Sequence, residues 1–153
     1  MSGAYIRELQ EKELDCFYDA LKSSAIENGI GNRFSQSREF LHNALFNEKH
    51  CSTLVAEIED RLVAYLLYSN TYRNFTLHTK PGIYIHSIYV DKPFRRQRIG
   101  TTLIKELIKI KENIYGRIEF ALLRNNKIGE LFLENLCFKE IDFIKPMRLH
   151  LTE

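Results

Sequence analysis

Gly82–Ile110 reads GIYIHSIYV (82–90), DKPFRRQRIGTT (91–102) and LIKELIKI (103–110). The first piece has no Lys, Arg, Asp or Glu and is rich in β-branched and aromatic residues. Pro81-Gly82 and Asp91-Lys92-Pro93 bound it, so it reads as a strand. In the last piece Ile99, Leu103, Leu107 and Ile110 recur at helical spacing, with Ile104 and Ile108 beside them. Between the two lies a basic connector that ends in Ile99-Gly100-Thr101-Thr102. A strand that passes into a helix leaves the first amides of that helix unpaired and facing the turn. The helix dipole adds partial positive charge there, and Arg95, Arg96 and Arg98 add full charges. The stretch predicts a pocket for a phosphate or pyrophosphate.

Upstream, Ala4–Leu9 predicts a short strand and Glu11–Glu27 a helix with Leu14, Phe17, Leu21 and Ala25 on its apolar stripe. A loop follows at Asn28–Asn32, then a helix over Ser37–Phe46, with Phe40, Leu41, Ala44 and Leu45 inward and Ser35 or Ser37 as its cap. Ser52–Ile58 and Leu62–Tyr68 flank the turn Glu59-Asp60-Arg61 as a hairpin. Ser69–Lys80 reads either as strand continuation or as a loop. Downstream, Arg117–Leu123 predicts a strand. Lys127–Leu136 predicts a helix with Ile128, Leu131, Phe132 and Leu136 inward. Phe138–Ile144 and Met147–Leu151 predict a closing hairpin around Lys145-Pro146. The order β-α-α-β-β-β-α-β-α-β-β implies an α/β (α+β) fold, a single mixed sheet with helices on both faces. The strand–helix–strand run from Tyr84 to Leu123 is a right-handed parallel crossover.

At 153 residues the chain predicts one domain over 1–153 with a real core. A formal net charge of +2 gives no ground for bulk nucleic-acid binding, so the basic connector is a local feature. Cys16, Cys51 and Cys137 are odd in number and widely spaced, which argues for reduced thiols in a cytoplasmic protein rather than a disulfide frame or a metal site. No apolar run suggests a signal peptide or a membrane span.

These residues in this order resemble the Gcn5-related N-acetyltransferase (GNAT) family over nearly the whole chain, most strongly from Gly82 to Phe138. Arg95-Arg96-Gln97-Arg98-Ile99-Gly100 occupies the family signature Q/R-x-x-G-x-G/A, with Arg98 in place of its first glycine. Asn126–Phe138 follows the pattern N-x-x-A-x-x-x-Y-x-x-x-G-F. Asn126 and Phe138 match, Gly129 is a small residue at the alanine position, Leu133 replaces the tyrosine, and Cys137 replaces the glycine. Within the family the chain is most similar to the small diamine acetyltransferase-like group. That group carries an acidic pair where this chain has His86-Ser87, so a polyamine substrate is not expected.

The resemblance implies an acetyl-CoA-dependent transfer of acetyl to a primary amine of a small molecule or protein, with no metal. It implies that Arg95, Arg96, Gln97, Arg98, Ile99, Gly100, Thr101 and Thr102 hold the coenzyme phosphates. Ile88, Tyr89 and Val90 would pair with the pantetheine arm as an added strand. Asn126, Gly129, Phe132 and Leu133 complete the coenzyme contacts, although Phe132 and Leu131 also read as core. His86, whose ordinary pKa is near ~6.5, is the candidate base; the alternative is a strand histidine satisfied by a neighbour. A β-bulge would bring both His86 and Ser87 to the cleft. Tyr89 is the second catalytic candidate, and Tyr84 and Glu57 are weaker ones. Leu133 cannot donate a proton to the leaving thiolate. Cys137 reads as a buried small hydrophobe. Two other readings stand beside transfer: a catalytically weak coenzyme-binding module, and nucleic-acid binding through Arg95, Arg96 and Arg98. No membrane partner is expected, and a homodimer is compatible with the resemblance. For the acceptor, Asn32, Arg33, Tyr72, Phe75 and His78 define no single chemical class.

Overall fold

The computed structural model describes residues 3–151. It divides into two compact units, Met1–Ala121 and Leu122–Glu153. Among the described residues the first holds five strands: β1 Tyr5–Glu8, β2 Ser52–Ile58, β3 Arg61–Thr71, β4 Gly82–Val90 and β5 Arg117–Phe120. They form one mixed sheet in the order β1-β2-β3-β4-β5. The first three pairings are antiparallel and β4–β5 is parallel.

Three helices belong to this unit: α1 Leu14–Glu27, α2 Arg38–His42 and α3 Ile99–Lys111. Phe17 of α1 and Leu41 of α2, with Leu45 just beyond it, pack against Leu9, Val55 and Tyr65 on one face. Leu54, Ala56 and Leu66 alternate with that set and are also buried, so they face the other side. There α3 crosses β2, β3 and β4 and buries Ile99, Leu103, Ile104 and Leu107. Helices therefore cover both faces of a single sheet, as the element order implies. The turn between β2 and β3 takes left-handed values at both Glu59 and Asp60, which matches the twist of a tight hairpin.

Some open alternatives are decided by the structure, and other expectations need correction. Ser69–Thr71 continues β3, and the rest of that polar stretch is loop with one helical turn at Phe75–Leu77. Helix α2 is capped by Ser37, whose Oγ accepts from the Phe40 amide at 3.1 Å. It ends at His42 and widens into a π turn over Asn43–Asn47. Phe40 is exposed, because the i, i+4 pair Leu41 and Leu45 takes the inward face. Ile108 and Ile110 are also exposed, outside the α3 set that buries Ile99, Leu103, Ile104 and Leu107.

In the second unit, α4 spans Lys127–Asn135. Its buried residue is Leu133, while Ile128 and Leu131 are exposed. The expected inward set was therefore shifted around the helix. No strand forms over 138–151 among the described residues. Ile141, Phe143, Met147, Leu149 and Leu151 are exposed there. The alternating pattern is present, but Pro146 interrupts it and a lone two-stranded hairpin is marginal in water.

Candidate functional site

β4 pairs with β5 only over Gly82–Ile85, opposite Arg117–Phe120. From His86 to Val90 its only strand partner among the described residues is β3. The ladder thus opens into a slot edged by Ile88, Tyr89 and Val90, whose backbone suits an added extended chain of amides.

The β3–β4 register shifts inside this strand. Leu67 lies opposite Ser87 and Tyr68 opposite Ile85, so His86 is the extra residue of a β-bulge. Side chains on either side of the bulge end up on one face. The His86 ring meets Tyr84 edge-on with centroids 4.9 Å apart. Tyr89 stacks on Tyr65 at 5.7 Å, and Tyr65 packs on Phe17 of α1. The Tyr65 hydroxyl is buried beside Ser87 and Ser24 with no hydrogen-bond partner among the described residues. The Nε2 of His86 lies 2.7 Å from the Ser69 hydroxyl. Desolvation holds the imidazole pKa below its ordinary value, so the ring is neutral at pH 7 with one basic nitrogen.

Beyond β4 the connector changes hand twice, at Arg96 (φ 63°) and Arg98 (φ 62°). Such alternation turns successive amides to one side. The amides from Arg96 to Thr101 find no acceptor among the described residues, and Thr102 is the first to return to the helix ladder, donating to the Arg98 carbonyl at 3.0 Å. Arg96, Gln97 and Arg98 are exposed around this cradle, Gly100, Thr101 and Thr102 are partly covered, and Ile99 is buried as its floor. An anionic pyrophosphate fits it: free amides, a helix start and two arginines without a carboxylate partner among the described residues.

Arg95 is committed elsewhere. Its Nε donates to the Val90 carbonyl at 2.7 Å and its Nη2 to Glu27 at 2.6 Å. The Tyr89 hydroxyl also donates to Glu27, at 2.9 Å. Tyr89 stays protonated, its pKa raised by burial and by the Glu27 carboxylate. Glu27 was invisible in the sequence because nothing links it locally to residues some 60 positions on. Glu57 is bound by Arg7 at 2.6 Å, which accounts for it structurally.

The remaining coenzyme candidates lie on α4. Asn126 caps that helix, its Oδ1 accepting from the Gly129 amide at 2.9 Å. A Cβ on Gly129 would sit 2.7 Å from the Asn126 side chain, so the small residue there serves the cap. Phe132 is partly covered and Leu133 buried. Cys137 is exposed, not buried. It is left-handed (φ 68°), and its amide and that of Phe138 return to Glu134 and Leu133 in a Schellman close. The three cysteines are free thiols.

The family model described as Acetyltransferase (GNAT) family matches residues 6–134. The chain belongs to the GNAT acetyltransferase family. Solved structures share this GNAT fold. A possible acetyltransferase from Clostridium difficile 630 is 21% identical, with TM-score 0.80 over 97% of this chain and 99% of that one. An aminoglycoside acetyltransferase from an uncultured soil metagenomic sample, in complex with sisomicin, is 20% identical, with TM-score 0.77 over 97% of each chain. A ribosomal-protein-alanine N-acetyltransferase from Brucella melitensis biovar Abortus 2308 is 17% identical, with TM-score 0.75 over 97% of this chain and 100% of that one. The two places where this GNAT chain lacks the family glycine, Arg98 and Cys137, are both left-handed. That conformation is the reason glycine belongs there. No helix among the described residues is long and apolar enough to cross a membrane.

Proposed function

We propose that this GNAT chain transfers the acetyl group of acetyl-CoA to a primary amine by direct attack. The observation that carries the proposal is the connector: unpartnered amides from Arg96 to Thr101, at the end of a strand whose outer edge is open. The cradle would hold the pyrophosphate, with Arg96 and Arg98 adding charge, and Ile88–Val90 would pair with the pantetheine amides. Asn126, Gly129, Phe132 and Leu133 follow from the family pattern. Bound there, the coenzyme supplies an activated thioester carbonyl.

The acceptor must arrive as a free amine, since an alkylammonium has a pKa near ~10.4. His86 takes its proton, directly or through water. The amine nitrogen forms the new C–N bond, the C–S bond breaks, and the thiolate takes a proton from solvent or from Tyr89. A strand amide beside the carbonyl oxygen would contribute roughly 3–4 kcal/mol, as in other acyl transfers. The likeness to the small diamine acetyltransferase-like group extends to chain length and strand pattern, not to the acidic pair.

The test is coenzyme A release with a panel of amines and peptides. Release stimulated by an amine, and lost in His86→Ala, is expected. Coenzyme binding without any amine-stimulated release sinks the proposal. It would favour the second reading, a coenzyme-binding regulatory module, to which Leu133 at the tyrosine position gives support. The chain would act as a protein without membrane attachment, in the cytoplasm.

A further inference from the structure

The acceptor face of β4 is unusual in its charge. Residues 61–90, which make β3, its loop and β4, contain no Asp or Glu at all. Carboxylates set against this region by register or contact are paired, including Asp91 just after β4, 3.4 Å from Arg61. Glu119, opposite Tyr84 in the β5 register, is 2.9 Å from Arg117. Glu27 is taken by Arg95 and Glu57 by Arg7. Among these groups an ammonium-rich acceptor would meet no unpaired carboxylate.

One cation on this face is unmatched. Arg73 has no carboxylate within ion-pair reach among the described residues. Its guanidinium lies 5.5 Å from the centroid of the Tyr84 ring, and the His86 ring is 4.9 Å from that same ring. Tyr84 therefore has both the cation and the imidazole as neighbours. The Arg73 backbone is held at both ends. Its amide donates to Thr71 Oγ1 at 3.1 Å, and its carbonyl accepts from Arg117 Nη2 at 2.7 Å. The guanidinium is thus an exposed cation carried on an anchored backbone segment, beside the Tyr84 ring. Its fork matches a carboxylate or a phosphate in two parallel hydrogen bonds.

We propose that the acceptor is an amine that also carries an anionic group, a carboxylate or a phosphate, with Arg73 holding the anion while the amine faces His86. The proposal rests on the acetyltransferase reading above. It makes Arg73 the specificity residue and Tyr84 the spacer between the acceptor's two ends.

The experiment compares primary amines that share an amine end and differ in charge, with the full chain and acetyl-CoA. The set is 4-aminobutanoate and its methyl ester, 2-aminoethyl phosphate and 2-aminoethanol, and 1,4-diaminobutane. The expected result is kcat/KM at least roughly tenfold higher for an anionic acceptor than for its neutral partner, as one charge-assisted contact supplies. The carboxylate and phosphate arms show which anion is preferred. In Arg73→Gln that ratio falls to about one, and in Arg73→Glu the diamine gains. A second readout needs no turnover: inorganic phosphate or acetate added to the protein alone shifts the His86 ring NMR signals, and Arg73→Gln abolishes the shift. Equal turnover of charged and neutral partners, preference for the diamine, a ratio unchanged in Arg73→Gln, or no shift with either anion overturns the proposal while leaving an amine acetyltransferase in place. Coenzyme binding with no amine of any charge turned over removes the acetyltransferase reading, and this proposal with it.

Discussion

At the scale of single residues, His86 combines an exposed edge with a desolvated ring. A base must be neutral to accept a proton, and desolvation moves the protonation of this ring to lower pH than that of an ordinary histidine. The acidic limb of kcat/KM against pH is therefore expected to have its midpoint below ~6.5, and His86→Gln should remove that limb and lower kcat by roughly 10²–10⁴. Stability follows the same sign. The unfolded histidine binds its proton more readily, so its contribution is full above pH ~6.5 and is lost as pH falls through the lower native value. A limb centred above 6.5, or one unchanged in His86→Gln, contradicts the assignment. Arg98 and Cys137 make a different residue-scale case. A side chain in left-handed backbone costs roughly 1–2 kcal/mol, and glycine returns part of that gain through its freer unfolded chain. Arg98→Gly and Cys137→Gly should each raise the urea unfolding free energy by about 0.5–1 kcal/mol. In Arg98→Gly the coenzyme should bind more weakly at the same time, because a cation leaves the cradle. Both glycine positions could be named from the sequence by resemblance. Their physical reason, positive φ, could not.

Between elements, two arginines do the joining. Arg7 on β1 binds Glu13 at 2.6 Å and Glu57 on β2 at 2.6 Å, with all three side chains mostly covered. The Arg7 hydrogen bond is the main cause holding the Glu13 carboxyl below its ordinary range, against the opposing effect of burial. That stability is present above the unfolded value near ~4.3 and is lost as pH falls through the native one. Glu13→Gln should flatten the acid limb of stability. Arg7→Met should cost about 2–3 kcal/mol at pH 7, less than the roughly 3–5 of a fully buried broken pair. Urea melts from pH 7 to 3 decide it, and parallel curves for wild type and Glu13→Gln would refute it. Arg117 ties β5 to the β3–β4 loop through the carbonyls of Arg73 and Lys80. It passes directly over Gly82, where a Cβ would sit 2.9 Å from its Cγ. Because that side chain is pinned at three points, it cannot simply swing aside. Gly82→Ala should cost about 1–2 kcal/mol and speed hydrogen exchange across 73–80, as Arg117→Ala should. Unchanged exchange in Gly82→Ala would show that the guanidinium can relocate.

Across the whole molecule, what could be read in advance was whatever is set by residues close in sequence. The uncharged run of β4, the apolar spacing of α3 and the turn at Glu59-Asp60 each carry their own signal. The bulge at His86 carries none, since it exists only against the register of β3. The Ser69–His86 contact, the Arg73–Tyr84 stack and the Glu27 cluster likewise appear only once the chain is folded. Alternation misled at 138–151, where a strand pattern has no ladder to join. The Glu27 cluster gives the prediction that belongs to this scale, because it joins the last turn of α1 to the end of β4 and the start of the connector. Two effects compete if Glu27 loses its charge. Local positive charge rises, which would attract a phosphate, but an exposed charge is worth roughly 0–1 kcal/mol. Against that, Arg95 loses the anchor that aligns it with the Val90 carbonyl, and a connector with left-handed residues at 96 and 98 must be ordered by the ligand instead. Anchoring should win. Coenzyme A dissociation constants measured by calorimetry are expected to rise about tenfold, or about 1.4 kcal/mol, in Glu27→Gln. A smaller rise is expected in Glu27→Asp, which keeps the charge and loses the reach. If charge alone governed the site, Glu27→Gln would bind coenzyme more tightly than the wild type and Glu27→Asp would match it, so the sign of the Gln variant separates the two accounts.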